Sequence, residues 1–199
     1  MPESSVSSRR TRPGGRSAQV RASVLNAGLA ELAEVGFHGL SLEGIARRAG
    51  VNKTTLYRRW GSKEALMLEA IRERASANVP IPETGSLRED LLTLVTAAIR
   101  NLSTAEVQAM VRVGITLSPY EPSLAEMARA FWTERLAVDG VIVERAVQRG
   151  DIAPVDPGFV IEAVLGPPYF RFLVTGRPVT DEFLAATVDL VVSGLPKAV

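Results

Sequence analysis

Read for the spacing of its apolar positions, the chain divides into helices and breaks, with no strand-like alternation and no hairpin signal. Leu25, Gly28, Leu29, Leu32 and Val35 recur at intervals of three and four, which predicts an amphipathic helix from Ser17 that stops at Gly36. A short helix is predicted over Leu42–Arg48, with Ser41 as its N-cap and Gly50 as its breaker. The next start is marked twice, by Asn52 at the N-cap and by Val51 and Leu56 at hydrophobic-staple spacing. That helix extends only from Lys53 to Trp60 before Gly61. Ser62 then caps a longer helix, with Glu64 in its first turn and Leu66, Ala70 and Ile71 on its buried face. Val79-Pro80-Ile81-Pro82 ends it. Further helices are predicted at about 87–103, 106–118, 122–149, 157–176 and 180–195, with Pro119, Gly150–Pro157 and Gly176–Pro178 as breaks. Gly166-Pro167-Pro168 should kink or split the 157–176 helix. The expected fold class is all-α.

Composition narrows the chemistry. Of 199 residues, 46% are hydrophobic and 23% charged, an ordinary globular mixture. Cysteine is absent and His38 is the only histidine. Disulfides, thiolate metal sites, a cysteine nucleophile and multi-histidine metal sites are thereby excluded. Ser-His-Asp chemistry would have to use His38, an exposed turn residue on this reading, and no Gly-rich phosphate loop or dinucleotide fingerprint is present. The expectation is a non-enzyme without a metal or other cofactor. No uncharged stretch exceeds nine residues and the amino terminus lacks an apolar signal core, so a cytoplasmic chain that does not engage a membrane is expected.

The net charge of +1 hides a division. Residues 1–78 carry 13 Lys/Arg against 7 Asp/Glu, whereas residues 79–199 carry 10 against 15. Such asymmetry points to a polyanion facing the first part. Residues 1–16, rich in Ser, Gly and Arg, are expected as a flexible basic arm. Its Arg9, Arg10 and Arg12 serve either as a solubilising tail or as a DNA-following arm.

Three short helices ending in one of recognition length meet the requirement of a helix-turn-helix. On Lys53–Trp60, Leu56 and Trp60 share one apolar stripe, and Lys53, Thr54, Thr55, Tyr57, Arg58 and Arg59 spread over the rest. Such a helix anchors from one side and presents short donors and guanidinium groups to a groove.

The segments Gly36-Phe37-His38-Gly39-Leu40-Ser41-Leu42, Ile45–Val51 and Asn52–Leu66 resemble the DNA-binding domain of the tetracycline-repressor (TetR) family, in order and without gaps. Trp60 stands where that family usually has Phe, and Asn52 where Ser is frequent. Gly150-Asp151-Ile152 and Leu165–Arg171 are similar to one C-terminal subtype of the family. The resemblance implies a helix-turn-helix domain over 17–62, a connecting helix over 63–80, and a ligand-binding and dimerisation domain over 81–199. It implies a homodimeric regulator, in most cases a repressor, that binds palindromic double-stranded operator DNA and is released by a small molecule. A protein-interaction adaptor or an activator is the alternative. By position, DNA contacts fall on Ser41, Asn52, Lys53, Thr54, Thr55, Tyr57, Arg58, Arg59 and Lys63. Chemistry assigns phosphates to Lys53, Tyr57, Arg59 and Lys63, and base edges to Thr54, Thr55 and Arg58.

Two further sets complete the expectations. Met110, Tyr120, Met127, Phe131, Trp132, Gly166, Tyr169 and Phe170 are candidates to line a pocket for a small, largely apolar ligand, although an aromatic or methionine taken alone is more often plain core or dimer interface. Phe183, Leu184, Thr187, Val188, Leu190, Val191 and Leu195 form an apolar face on the last helix too broad to be packed on one side only, and it is expected to make a four-helix dimer interface with the 157–176 helix, through Phe159, Val160, Ala163, Val164, Phe170 and Leu173.

Overall fold

Capping side chains fix where the first helices begin. The computed structural model describes residues 13–198. Its helices are α1 (Pro13–Gly39), α2 (Leu42–Ala49), α3 (Lys53–Trp60), α4 (Lys63–Asn78), α5 (Leu87–Leu102), α6 (Ala105–Leu117), α7 (Pro122–Arg149), α8 (Pro157–Phe170) and α9 (Asp181–Ser193). No strand occurs among the described residues. The Ser41, Asn52 and Ser62 side chains accept hydrogen bonds from the backbone N–H groups of Gly44, Thr54 and Ala65 at 2.9–3.1 Å, satisfying donors that the helix leaves open.

The expected arm lies outside the described residues as far as position 12, including Arg9, Arg10 and Arg12. α1 already begins at Pro13, a residue whose missing N–H is harmless in a first turn. Its helical geometry breaks at Gly36, where φ 70° and ψ 174° favour a residue without Cβ. Gly28 has a different task. A Cβ there would lie 2.8 Å from Leu66 Cδ2 and 3.3 Å from Met67 Sδ, so its absence lets α1 and α4 pack closely.

Two apolar clusters hold the chain together. One joins Leu25, Leu29 and Leu32 of α1 to Ile45, Leu56, Leu66 and Met67, and also takes in Met110 of α6 and Leu124 and Met127 of α7. The other gathers α5, the second half of α7, α8 and the inner face of α9 around Leu91, Leu94, Ile142, Ile161 and Val188. The first cluster therefore reaches beyond the Pro80–Pro82 linker, because α6 lies against α1.

Two expectations are corrected. The backbone stays helical through Pro167 and Pro168 instead of splitting there. Val160, Ile161, Val164, Leu165 and Pro168 are buried, and packing against α7 holds the helix despite two absent N–H donors. The irregularity comes later, as a π-helical turn over Arg171–Thr175 whose final bond runs from Gly176 N–H to the Arg171 carbonyl. The expected dimer face divides between the chain's own core and solvent. Leu184, Thr187 and Val188 are buried in their own chain's core, Val191 is half-buried against it, and Phe183 lies under the Arg171 guanidinium at 3.9 Å. Apolar residues occupy more than one side of α9, and periodicity does not say which of them meets its own core. The apolar residues left in solvent here are Phe159, Phe170, Val174 and Leu190.

Candidate nucleic-acid interface and interior cavity

Leu56 and the half-buried Trp60 anchor α3. Leu56 is its only fully buried side chain, while Lys53, Thr54, Tyr57, Arg58 and Arg59 are exposed. Thr55 is half-buried and lines a shallow groove with Val20 and Val24 of α1, so it is less available than Thr54. The Ser41 and Asn52 oxygens already cap α2 and α3, which leaves the Asn52 amide N–H groups free to donate.

The cations of this surface differ in how far they are engaged. Arg58 has no ion-pair partner among the described residues. Lys53 Nζ lies 4.0 Å from Glu43, which also accepts a 2.9 Å hydrogen bond from the Tyr57 hydroxyl. A bond from its own backbone N–H and the one from Tyr57 hold the Glu43 carboxyl below its usual range. Arg59 lies over the Trp60 ring at 5.1 Å and 4.0 Å from Glu69. Burial pushes the Glu69 carboxyl up, but hydrogen bonds from Arg21 and Trp60 outweigh it and keep the group below normal.

Lys63, an expected phosphate contact, is already engaged within the fold. Its Nζ donates to the carbonyls of Phe37 (2.8 Å) and Leu40 (3.2 Å) and sits 4.2 Å from the Phe37 ring centroid. It closes carbonyls freed by the break at Gly36, a structural task that a surface pattern of basic residues does not reveal. Glu43 and Glu69, which orient Tyr57 and Trp60, were equally absent from the sequence reading, since only the fold brings them to α3.

Farther along, α4, α5, α6, α7 and α8 enclose a cavity of about 60 Å³, to which Leu29 of α1 also contributes. A wider recess of about 200 Å³ between α6 and α7 shares Met110, Phe131, Trp132 and Tyr169 with it. Met127 lines that recess too, so five of the eight expected pocket residues come together. Tyr120, Gly166 and Phe170 do not. Tyr120 is 81% exposed, and Phe170 and Gly166 lie on the outer side of α8. One helical step separates Tyr169 from Phe170 by about 100°, enough to send one inward and the other out. A Cβ at Gly166 would meet nothing within 4 Å, so Gly166 is no cavity wall.

The cavity has a polar corner that the sequence did not disclose. Arg135 donates through Nε and Nη2 to both carboxylate oxygens of Asp139, and through Nη2 to the Val79 carbonyl at 2.9 Å. Burial pushes the Asp139 carboxyl above its usual range, against the pull of Arg135. Burial, with Asp139 nearby, likewise pushes the Tyr169 phenol up to about 12. Arg74 and Asn101 also line the cavity. Among the described residues, no group of three His, Cys, Asp or Glu residues is placed to hold a metal ion, and no helix is long and apolar enough to cross a membrane.

Comparison with known proteins addresses the same two regions. Residues 24–70 match the model of bacterial regulatory proteins, tetR family, and residues 81–191 match that of the tetracyclin repressor-like C-terminal domain. The chain is 32% identical over 180 residues to the HTH-type transcriptional regulator AqdR of Rhodococcus erythropolis, covering 90% of this chain and 86% of that protein. It is 31% identical over 182 residues to YdeS, an uncharacterized HTH-type transcriptional regulator of Bacillus subtilis (strain 168), covering 90% of each. Among solved structures, the TetR family transcription regulator SCO0332 superposes with a TM-score of 0.74 at 32% identity, over 88% of this chain and 98% of that one. The flavonoid-responsive regulator FrrA shares the fold at a TM-score of 0.64 and 23% identity, over 88% and 94% of the two chains.

Proposed function

This chain belongs to the TetR family of DNA-binding transcriptional regulators, which are not enzymes, and from that premise we propose that it is a repressor that binds a palindromic operator as a homodimer and is released by a small molecule. The observation that carries the DNA half is the exposed face of α3, where Arg58 stands uncompensated beside Lys53, Thr54 and Tyr57. Arg58 is the candidate for a guanine edge, and Lys53 and Arg59 for phosphates. Tyr57 joins them once its hydroxyl exchanges Glu43 for a phosphate. The exposed cations on α3, with Arg58 free of an ion pair among the described residues, favour this reading over a protein-interaction adaptor. Repression and activation differ only in where the operator lies relative to a promoter.

Dimerisation is assigned to the outer surface of α8, the π turn and α9. Phe159, Phe170, Val174 and Leu190 are exposed there, and Gly166 on the same side lets a second backbone approach. A two-fold axis makes such a face self-complementary. The cavity is the effector site in this reading. Its Arg135 holds the carbonyl of Val79, the C-cap of α4, and its wall includes Leu29 of α1. A ligand that displaces either one shifts the helix-turn-helix relative to its partner and changes the spacing of the two recognition helices.

Selection of genomic fragments with the purified chain tests the proposal. The expected outcome is a pseudo-palindrome with half-site centres about 34–36 Å apart, or a multiple of a turn. Enrichment of no such site would transfer the reading to the adaptor.

A further inference from the structure

The cavity's hydrogen-bonding groups are unevenly engaged, and the imbalance identifies a ligand chemistry. Both oxygens of Asp139 already accept from Arg135, and Asn101 Oδ1 accepts from Asn78 Nδ2 at 2.8 Å. The acceptors among these groups are therefore occupied. The donors are not. Among the described residues, Arg74 Nε–H is buried with no acceptor, and the only bond of that side chain is a long one, 3.4 Å from Nη2 to Glu106. Tyr169 lines the cavity, its hydroxyl makes no hydrogen bond to any described residue, and its environment keeps the proton on the oxygen. A buried donor without a partner costs free energy that an incoming acceptor would recover.

Shape and charge narrow the acceptor further. Phe131, Trp132 and Tyr169 stand edge to face in sequence, with centroids 5.2 and 6.0 Å apart and interplanar angles of 71° and 73°. Such walls suit a flat aromatic ring. Arg135 is neutralised by Asp139 and Arg74 faces Glu106, so an ionised ligand would lose hydration without gaining a free counter-charge. The volumes, about 60 Å³ and 200 Å³, suit one or two fused rings rather than a large molecule.

We propose that the cavity takes an uncharged aromatic ketone or amide of one or two fused rings, whose carbonyl oxygen accepts hydrogen bonds from the Tyr169 hydroxyl and Arg74 Nε–H. This assignment rests on the reading of the cavity as the effector site and adds the class of effector.

Equilibrium dialysis of the full chain against 2-acetonaphthone, 2-ethylnaphthalene and 2-naphthoate tests it. The ketone should bind once per chain and about tenfold more tightly than the hydrocarbon of similar shape, the difference that one or two hydrogen bonds produce. The carboxylate should bind more weakly than either. Tyr169→Phe should cut the ketone's advantage over the hydrocarbon to the share that Arg74 Nε–H supplies, and leave the hydrocarbon's own affinity unchanged. Trp132→Leu should weaken both equally. Tightest binding by 2-naphthoate, an undiminished ketone advantage in Tyr169→Phe, or no binding of any probe would overturn the proposal. Repeating the titration with operator DNA separates the two readings. A ketone that binds as described yet leaves operator affinity unchanged would retain the ligand class and remove the effector role. Release of operator by 2-naphthoate alone would do the reverse.

Discussion

On α3 the Lys53, Arg58 and Arg59 side chains stand in solvent, whereas on α7 the Arg135 guanidinium is folded onto Asp139 and the Val79 carbonyl and is only 11% exposed. The contrast follows from what each region would bind. A surface that meets a polyanion needs uncompensated positive charge, since releasing counterions from the phosphates supplies much of the affinity. An interior site cannot hold such charge in a dry environment, so its ions are paired and only neutral hydrogen-bonding capacity remains open. Lys63 tests the rule from within the DNA-binding region. It belongs there by sequence but behaves as an interior cation, satisfied by two carbonyls.

The largest expected effect comes from putting a charge on the wrong side of one helix. Leu184→Asp places a carboxylate with no counter-ion in the core of the C-terminal region, and the variant should not fold cooperatively. Leu190→Asp, on the exposed side of the same helix, should keep the wild-type melting curve and sediment as a monomer. Two folded monomeric variants, or two unfolded ones, would erase the distinction between the faces.

Arg135→Met should come next, with a loss of about 3–5 kcal/mol in denaturant unfolding, because it leaves Asp139 buried without its partner. Its pH dependence sharpens the claim. The Asp139 carboxyl already lies above its usual range in the folded chain, and losing Arg135 moves it further up. A carboxyl raised on folding binds its proton more readily in the native than in the unfolded state, so stability falls as pH rises through that range. The variant should regain stability as the solution is acidified, and a flat profile would remove Asp139 from the account.

The two lysines of the DNA-binding region should then separate. Lys63→Ala leaves the Leu40 carbonyl without its donor and the Phe37 carbonyl with only the long bond from Leu40 N–H, and should lower stability by about 1–3 kcal/mol. Lys53→Ala should leave the melting temperature unchanged, and lower the slope of log affinity against log salt by about one ion. Equal stabilities for the two variants would contradict the roles given to them.

How much of this was legible in the sequence varies with the locality of the signal. Ser41, Asn52 and Ser62 marked helix starts correctly because capping depends on one side chain and the N–H groups two or three residues on. The faces of α9 were not legible, since Leu184 and Leu190 are chemically alike and only the position of α5 decides which is covered. Tyr169 and Phe170 were both plausible pocket residues until the rotation of α8 separated them. Pro167 and Pro168 argued for a break that burial against α7 suppressed. The polar residues of the cavity come from α4, α5, α7 and α8, which lie far apart in the chain, and no spacing rule connects them.

The central claim is that the exposed face of α3, with Arg58 uncompensated on it, reads the sequence of duplex DNA. The most direct measurement is the base-preference matrix obtained by selecting a randomised duplex pool with the native chain and with Arg58→Ala. The account predicts a two-fold symmetric preference for the native chain. In the variant it predicts loss of preference at one position per half-site, worth about 1–3 kcal/mol, with the other positions retained. An identical matrix for the two proteins, or no symmetric preference in either, would contradict it.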